Sequence, residues 1–361
     1  MDSSDDRLHL RGARSFVAGR FESVEREVFD DGWTPEEKDQ RELQTRVAIE
    51  RARSILSHND SPDVGFDRSI NPYRGCEHGC IYCYARPSHA YLELSPGLDF
   101  ETRLYAKANA AALLREELGK PGYRPAPIAL GANTDCYQPI ERKYRITRQI
   151  LEVLAECEHP VTMVTKSALI ERDLDLLTEL SSKNLAKVFV SIGTLDRTLA
   201  RKLEPRAASP QRRIDILKKL SSSGVPCGVM VAALIPALND KTLEHVLEAA
   251  AAAGATEAAY VIMRLPHELK ALFKEWLAAH YPERAQHVIS IVRQMRGGKD
   301  NDPGFGSRMT GTGNYAELIE KRFDIACRRH GLNGHGAGRN RPELDCSRFR
   351  PPSRHGQMTL F

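Results

Sequence analysis

The chain contains no apolar run near the about 18 residues that a membrane-spanning helix requires, so none is predicted. Its acidic opening, MDSSDDRLHL, lacks the apolar segment of a secretory signal. No internal repeat is obvious. There are 8 cysteines in 361 residues, too few for a disulfide-stapled scaffold. These absences predict a globular protein of the reducing cytoplasm with no membrane partner, in which clustered cysteines would serve metal or redox chemistry. The length is enough to bury a sizeable core without cross-links.

Net charge is small but uneven. The whole chain carries +4, whereas residues 321–361 hold nine Lys or Arg against three acids. The rest is therefore slightly acidic. A basic tail suits either contact with a phosphate backbone or solvation of a terminus.

Residues 1–33 show little periodicity and are expected to form an arm. Thr34, Pro35, Glu36 and Glu37 then make a helix-start signature. Leu43, Val47, Ile49, Ala52, Ile55 and Leu56 continue it as an apolar stripe up to the break at 57–63. From residue 69 strands and helices alternate. SINPYR reads as a first short strand, followed by apolar runs at 128–133, 161–167, 187–194, 227–236 and 258–266. Helical patterns lie at 104–118, 142–157, 171–183, 209–223, 240–253 and 267–280, with others at 281–296 and 314–330. Ser209-Pro210 is a helix start and Gly224 a stop. Six β/α units predict a parallel α/β sheet curled into an open partial barrel, with its active site at the C-terminal strand ends. The predicted divisions are 1–60 (arm and helix), 61–296 (core barrel) and 297–361 (lid-like glycine-rich loop, helix and basic tail).

The stretch NPYRGCEHGCIYCYARP places Cys76, Cys80 and Cys83 on the loop after the first strand, and the next cysteine, Cys136, is more than fifty residues away. Thiolates are soft ligands for zinc or iron–sulfur clusters. A structural zinc site needs four ligands, and His78, inside the first spacer, is poorly placed to complete one. Three thiolates on a four-iron cluster leave one iron open to a small molecule. Cys157, Cys227, Cys327 and Cys346 show no ligand spacing.

Cys-x3-Cys-x2-Cys, with aromatic Tyr82 before the last cysteine, resembles the signature of radical S-adenosylmethionine (SAM) enzymes. Together with VTKS, LEPR, SPQRRI and LIPALND, it resembles the spore photoproduct lyase-related, DNA repair photolyase-like group over about residues 60–270. The resemblance implies a partial (β/α)6 TIM-like barrel and a 4Fe-4S cluster on Cys76, Cys80 and Cys83. It also implies SAM on the open iron, reductive cleavage to a 5′-deoxyadenosyl radical, and hydrogen abstraction from a substrate. A flavodoxin or ferredoxin would supply the electron.

By the same resemblance Tyr82 belongs to the cofactor site, Lys166 approaches the SAM carboxylate and Ser191 contacts SAM. Asn133, Thr134 and Asp135 stand where the family often has Gly-Gly-Glu for the SAM amino group. That stretch is absent here, and these types also suit an ordinary turn. Glu204 and Arg206 reach either ribose or substrate, or form a structural ion pair. The related lyase carries a hydrogen-donating cysteine on the 131–139 loop. Its place falls nearer Ala132 here, and Cys136, four residues later, is the candidate donor.

The last residues, QMTLF, resemble a peptide that docks on the DNA sliding clamp, through Gln357, Met358, Leu360 and Phe361. The leading expectation is lyase-like radical chemistry on nucleic acid, most directly a DNA lesion. The alternatives are a peptide, RNA or metabolite substrate, or a non-enzymatic iron–sulfur sensor or clamp-associated protein.

Overall fold

The computed structural model describes residues 11–22, 44–335 and 343–352. Strands β1 (Arg46–Glu50), β2 (Leu56–His58), β3 (Arg68–Ile70) and β4 (Tyr73–Arg74) lead into the cysteine loop. Helix α1 (Asp99–Thr102), β5 (Arg103–Lys107) and α2 (Ala110–Leu118) follow it. The regular alternation is then β6 (Ile128–Leu130), α3 (Glu141–Tyr144), α4 (Ile146–Glu156), β7 (Val161–Thr165), α5 (Leu174–Ser182) and β8 (Ala186–Ser191). It continues with α6 (Arg197–Leu203), α7 (Pro210–Ser222), β9 (Cys227–Leu234), α8 (Leu243–Ala252) and β10 (Glu257–Ile262). Helices α9 (Leu269–His280), α10 (Pro282–Gln294) and α11 (Asn314–Arg329) complete the order.

Seven strands form the main sheet in the order β10-β9-β8-β7-β6-β3-β2. All neighbours are parallel except β2, which runs antiparallel to β3. Six parallel strands in chain order, joined through helices, make the expected partial barrel. The edge strands β10 and β2 do not pair with each other, so the sheet stays open.

The elements follow from local chemistry. Ser209 caps α7 by accepting from the Arg212 N–H, and Pro210 supplies a preset first turn. Gly224 then takes φ +75, which a β-carbon would oppose, and turns the chain toward β9. Val161, Met163 and Thr165 alternate inward on β7. Ile150, Leu151 and Leu154 of α4 cover the sheet from outside, in one core with the helical apolar faces of α5, α7 and α8. A second core joins Ile81 and Tyr82 of the cysteine loop to Leu199, Leu203, Phe273 and Trp276.

Three expectations are corrected. The helix read across 34–56 is not continuous: Arg46–Glu50 and Leu56–His58 are strands, while its start at Thr34 lies outside the described residues. The helix at 104–118 begins only at Ala110, because Leu104 and Ala106 alternate inward as β5, parallel to β1 and antiparallel to β4. The described part of the basic tail is docked. Arg350 N–H donates to the Cys157 carbonyl (2.9 Å), Asp345 N–H donates to Asn184 (3.0 Å), and Phe349 packs on Tyr123 and His159. These partners lie at the N-terminal strand ends, opposite the cysteine loop. QMTLF lies outside the described residues.

Candidate active site at the barrel mouth

The cysteine loop is shaped by contacts remote in sequence. Gly79 has φ +68, and a β-carbon there would fall 2.7 Å from Glu101 Oε2. The N-terminal arm crosses so close that a β-carbon on Gly12 would stand 1.6 Å from the Gly79 carbonyl oxygen. Glu101, fully buried, accepts from the Gly12 and Ala13 N–H groups (3.0 and 2.8 Å) and from Arg86 Nη2 (2.5 Å). Arg86 also donates to the carbonyls of Cys80, Pro96 and Gly97. On the other flank Gln138 accepts from Glu77 N–H and donates to the Gly75 carbonyl. The backbone of Cys80–Ile81 is therefore held before any ligand binds: Ile81 N–H donates to Leu203 (3.0 Å) from the far side.

Cys76 and Cys80 are buried and Cys83 is partly exposed; all three are free thiols. Burial pushes the Cys80 thiol up to about 12 and raises Cys76 as well. Among the described residues, no three His, Cys, Asp or Glu side chains converge where a single ion could sit. Three free thiols on one preformed loop suit a cluster, in which each thiolate would take its own iron. The residues present fit a 4Fe-4S group.

Tyr82, Glu204, Ser191 and Lys166 meet beside this loop. The Tyr82 hydroxyl and the Arg213 guanidinium both donate to the Glu204 carboxylate. Arg213 Nη1 also donates to the Ser191 carbonyl (2.9 Å), and Ser191 Oγ donates to Ala232 (3.3 Å). Burial would raise the Glu204 carboxyl, but Arg213 and Lys166 hold it below the ordinary value. The Lys166 ammonium lies 5.9 Å from the Tyr82 ring centroid, and no carboxylate among the described residues forms an ion pair with it. Burial disfavours its charge, yet Cys80 and Glu204 outweigh that and raise its pKa.

The loop after β6 is more committed to the protein than expected. Asp135 accepts from Thr165 Oγ1 (2.8 Å), the Lys166 N–H (2.8 Å) and the Tyr137 N–H (2.9 Å), and lies 3.3 Å from His78 Nδ1. Burial opposes its charge, but His78 and these donors hold it down at about 2. The Thr134 hydroxyl donates to the Tyr73 carbonyl (3.0 Å). Asn71 anchors this turn by accepting from the Asn133 and Thr134 N–H groups, and the Asn133 side chain makes no hydrogen bond among the described residues. Arg206 points to Glu77 (2.7 Å) over the cysteine loop, making the structural ion pair.

Cys136 was expected near a substrate. It is fully buried in the main core, where burial, and then Asp135 and Glu141, raise its pKa. A thiol packed there does not face the mouth. The place nearest Ala132 is taken instead by Tyr84, whose hydroxyl donates to the Ala132 carbonyl. Arg213, Gln138, Asn71, Glu101 and Tyr84 were not singled out from the sequence. Tyr84 carried a readable signal, an aromatic directly after the last cysteine. The others act through partners too distant in the chain to be read.

The family profile described as Radical SAM superfamily matches residues 70–250. An uncharacterised protein of Mycobacterium tuberculosis is 38% identical over 231 residues, covering 63% of this chain and 68% of that one. An uncharacterised protein of Methanocaldococcus jannaschii is 27% identical over 254 residues, covering 69% and 89%. Among solved structures, a spore photoproduct lyase mutant superposes with TM-score 0.59 at 16% identity, covering 79% of this chain and 80% of that one. The same enzyme complexed with dinucleoside spore photoproduct gives TM-score 0.58 at 15% identity and the same coverage.

Proposed function

Because this chain belongs to the radical SAM superfamily and is an enzyme of that class, we propose that Cys76, Cys80 and Cys83 hold a 4Fe-4S cluster, that SAM binds beside it, and that the substrate is a DNA lesion. The observation that carries the cofactor reading is one loop bearing three free thiols, with the Lys166 ammonium against its Tyr82 ring and forming no ion pair among the described residues. When bound, the cluster and SAM supply reductive sulfonium cleavage and a 5′-deoxyadenosyl radical. The residues of the chain do the binding. The Lys166 ammonium meets the methionine carboxylate. The Asn133 amide accepts from the methionine amino group. Tyr82, fixed by Glu204, walls the site, and Arg213 neutralises Glu204 so that no further carboxylate repels the cofactor.

Two observations support nucleic acid. The fold matches an enzyme solved with a dinucleoside lesion. A cavity of about 650 Å³ behind the cysteine loop is lined by Arg11, Arg14, Arg197, Arg201 and Lys202, a setting for a phosphate backbone. Anaerobic reconstitution with iron and sulfide, dithionite and SAM should yield 5′-deoxyadenosine from the wild type and none from Cys83→Ala. Binding to DNA should weaken steeply with salt. Negligible DNA binding at low salt, with SAM cleavage intact, would move the substrate to a peptide, RNA or metabolite.

A further inference from the structure

The open side of the barrel is bridged. Residues 297–313 leave α10 and run along the last strand, where the Ile262 N–H donates to the Met309 carbonyl (2.9 Å). At the other edge, in the turn between β2 and β3, Asp63 accepts from the Gly306 N–H (2.7 Å) and from Arg308, which also donates to Ser61. This strap ties the two unpaired edges of the sheet together and forms one wall of the mouth.

Arg264 stands beneath it, two residues beyond β10. The buried guanidiniums elsewhere have matching acids: Arg86 with Glu101, and Arg213 with Glu204. Buried Arg296 instead donates to three carbonyls. Arg264 has neither arrangement. Its Nη1 lies 3.6 Å from the Met309 sulfur, a weak acceptor, and its buried Nε, like those of Arg206 and Arg296, has no hydrogen-bond partner among the described residues. Asp63, the nearby acid, is already engaged by Arg308. Burial and then Arg308 pull the Arg264 pKa below its ordinary value. An unpaired, partly desolvated guanidinium is costly to keep. Its location accounts for its retention: it lies just past the C-terminal end of β10, on the mouth side, against Met309 of the strap. The mouth thus carries two cations that form no ion pair among the described residues, an inner one near Cys80 and an outer one under the strap.

We propose that Arg264 receives an anionic phosphodiester of the substrate at the mouth, a role that rests on the nucleic-acid reading above. The strap adds the ring that such a ligand needs. Phe305 is 61% exposed, with Arg308 4.6 Å from its centroid. A phosphate receiver beside an exposed aromatic fits an unstacked nucleotide better than an intact duplex.

The test compares wild type with Arg264→Met and Arg264→Lys. Inorganic phosphate should raise the melting temperature of the cluster-free wild type and leave Arg264→Met unmoved, with Arg264→Lys between them. Arg264→Met itself should melt at or above the wild type, because a partly desolvated charge without an ion pair is gone. Its affinity for a short single-stranded oligonucleotide should fall about tenfold or more, with the salt slope shallower by about 0.7. A strongly destabilised Arg264→Met would make this a structural arginine and overturn the proposal. So would a loss confined to SAM binding, or unchanged phosphate and oligonucleotide binding. If the wild type shows the phosphate shift but no 5′-deoxyadenosine, the radical reading fails while Arg264 keeps its anion.

Discussion

Replacing Glu101 by alanine tests whether the cysteine loop is built by its buried ion pair. Glu101 and Arg86 are both fully buried, 2.5 Å apart. Without the carboxylate, Arg86 keeps its carbonyl acceptors from Cys80, Pro96 and Gly97 but loses its only carboxylate partner among the described residues. Breaking such a pair from one side costs about 3–5 kcal/mol. The Gly12 and Ala13 N–H groups also lose their acceptor, which would add about 1–3 kcal/mol each if they stayed buried. The arm can instead lift toward water, so these losses do not add in full, and about 3–5 kcal/mol remains the expectation. At about 2 °C per kcal/mol for a chain of this size, the melting temperature should drop by about 6–10 °C. The assay is anaerobic thermal unfolding of cluster-free protein, with limited proteolysis across residues 11–22 and iron content after reconstitution. The double variant Arg86→Met, Glu101→Ala should be more stable than the sum of the single effects, since it leaves no stranded charge. A Glu101→Ala protein melting within about 1 °C of wild type, with an additive double variant, would refute the reasoning.

Other outcomes follow from the same structure. Lys166→Met removes a cation that forms no ion pair among the described residues and leaves Glu204 paired with Arg213, so melting should change little while the KM for SAM rises about tenfold or more; a melting drop with unchanged KM would make it structural. Cys136→Ala should cost about 1–2 kcal/mol for a lost core contact and leave 5′-deoxyadenosine and product formation intact; loss of turnover in a stable variant would restore the donor role. His159 donates from Nδ1 to the Pro160 carbonyl and accepts at Nε2 from Tyr123, and burial lowers its pKa to about 4. The unfolded chain, with a pKa of about 6.5, takes up the proton first, so this stability is present above that pH and declines as pH falls toward 4. Between pH 7 and 5 the loss should be about 2 kcal/mol in denaturant titrations, and His159→Gln should remove that part of the pH dependence.

The chemistry was legible because it is local. Three cysteines and Tyr82 lie within eight residues, and the strand ends carrying Lys166 and Ser191 follow from short apolar runs that alternate with helices. The errors arose where two periodicities compete in short segments. Arg46–Glu50 carries apolar residues that suit a helix stripe, yet its pairing with β5 decides the outcome. Cys136 misled for another reason: which way a loop residue faces depends on its neighbours in space, and here the side chain turns into the core.

The hidden part of the site is its pattern of counter-charges, because the partners are far apart in the chain. Arg86 finds Glu101 across a short excursion, but Glu101 also binds the arm at Gly12, and Arg206 reaches back to Glu77. Each arginine alone resembles a solvated surface residue in the sequence. Sorted by partner, they divide into two classes. Arg86, Arg206 and Arg213 are matched by acids and stiffen the cysteine loop. Lys166 and Arg264 are not, and both face the mouth. In a folded chain, a matched charge is explained by its partner, whereas an unmatched, half-buried one beside a cleft points to a functional role. The same division assigns them to different ligands. Lys166 lies against Tyr82, where the proposed cofactor would bind. Arg264 lies under the strap, on the wall of the mouth that an entering substrate would meet.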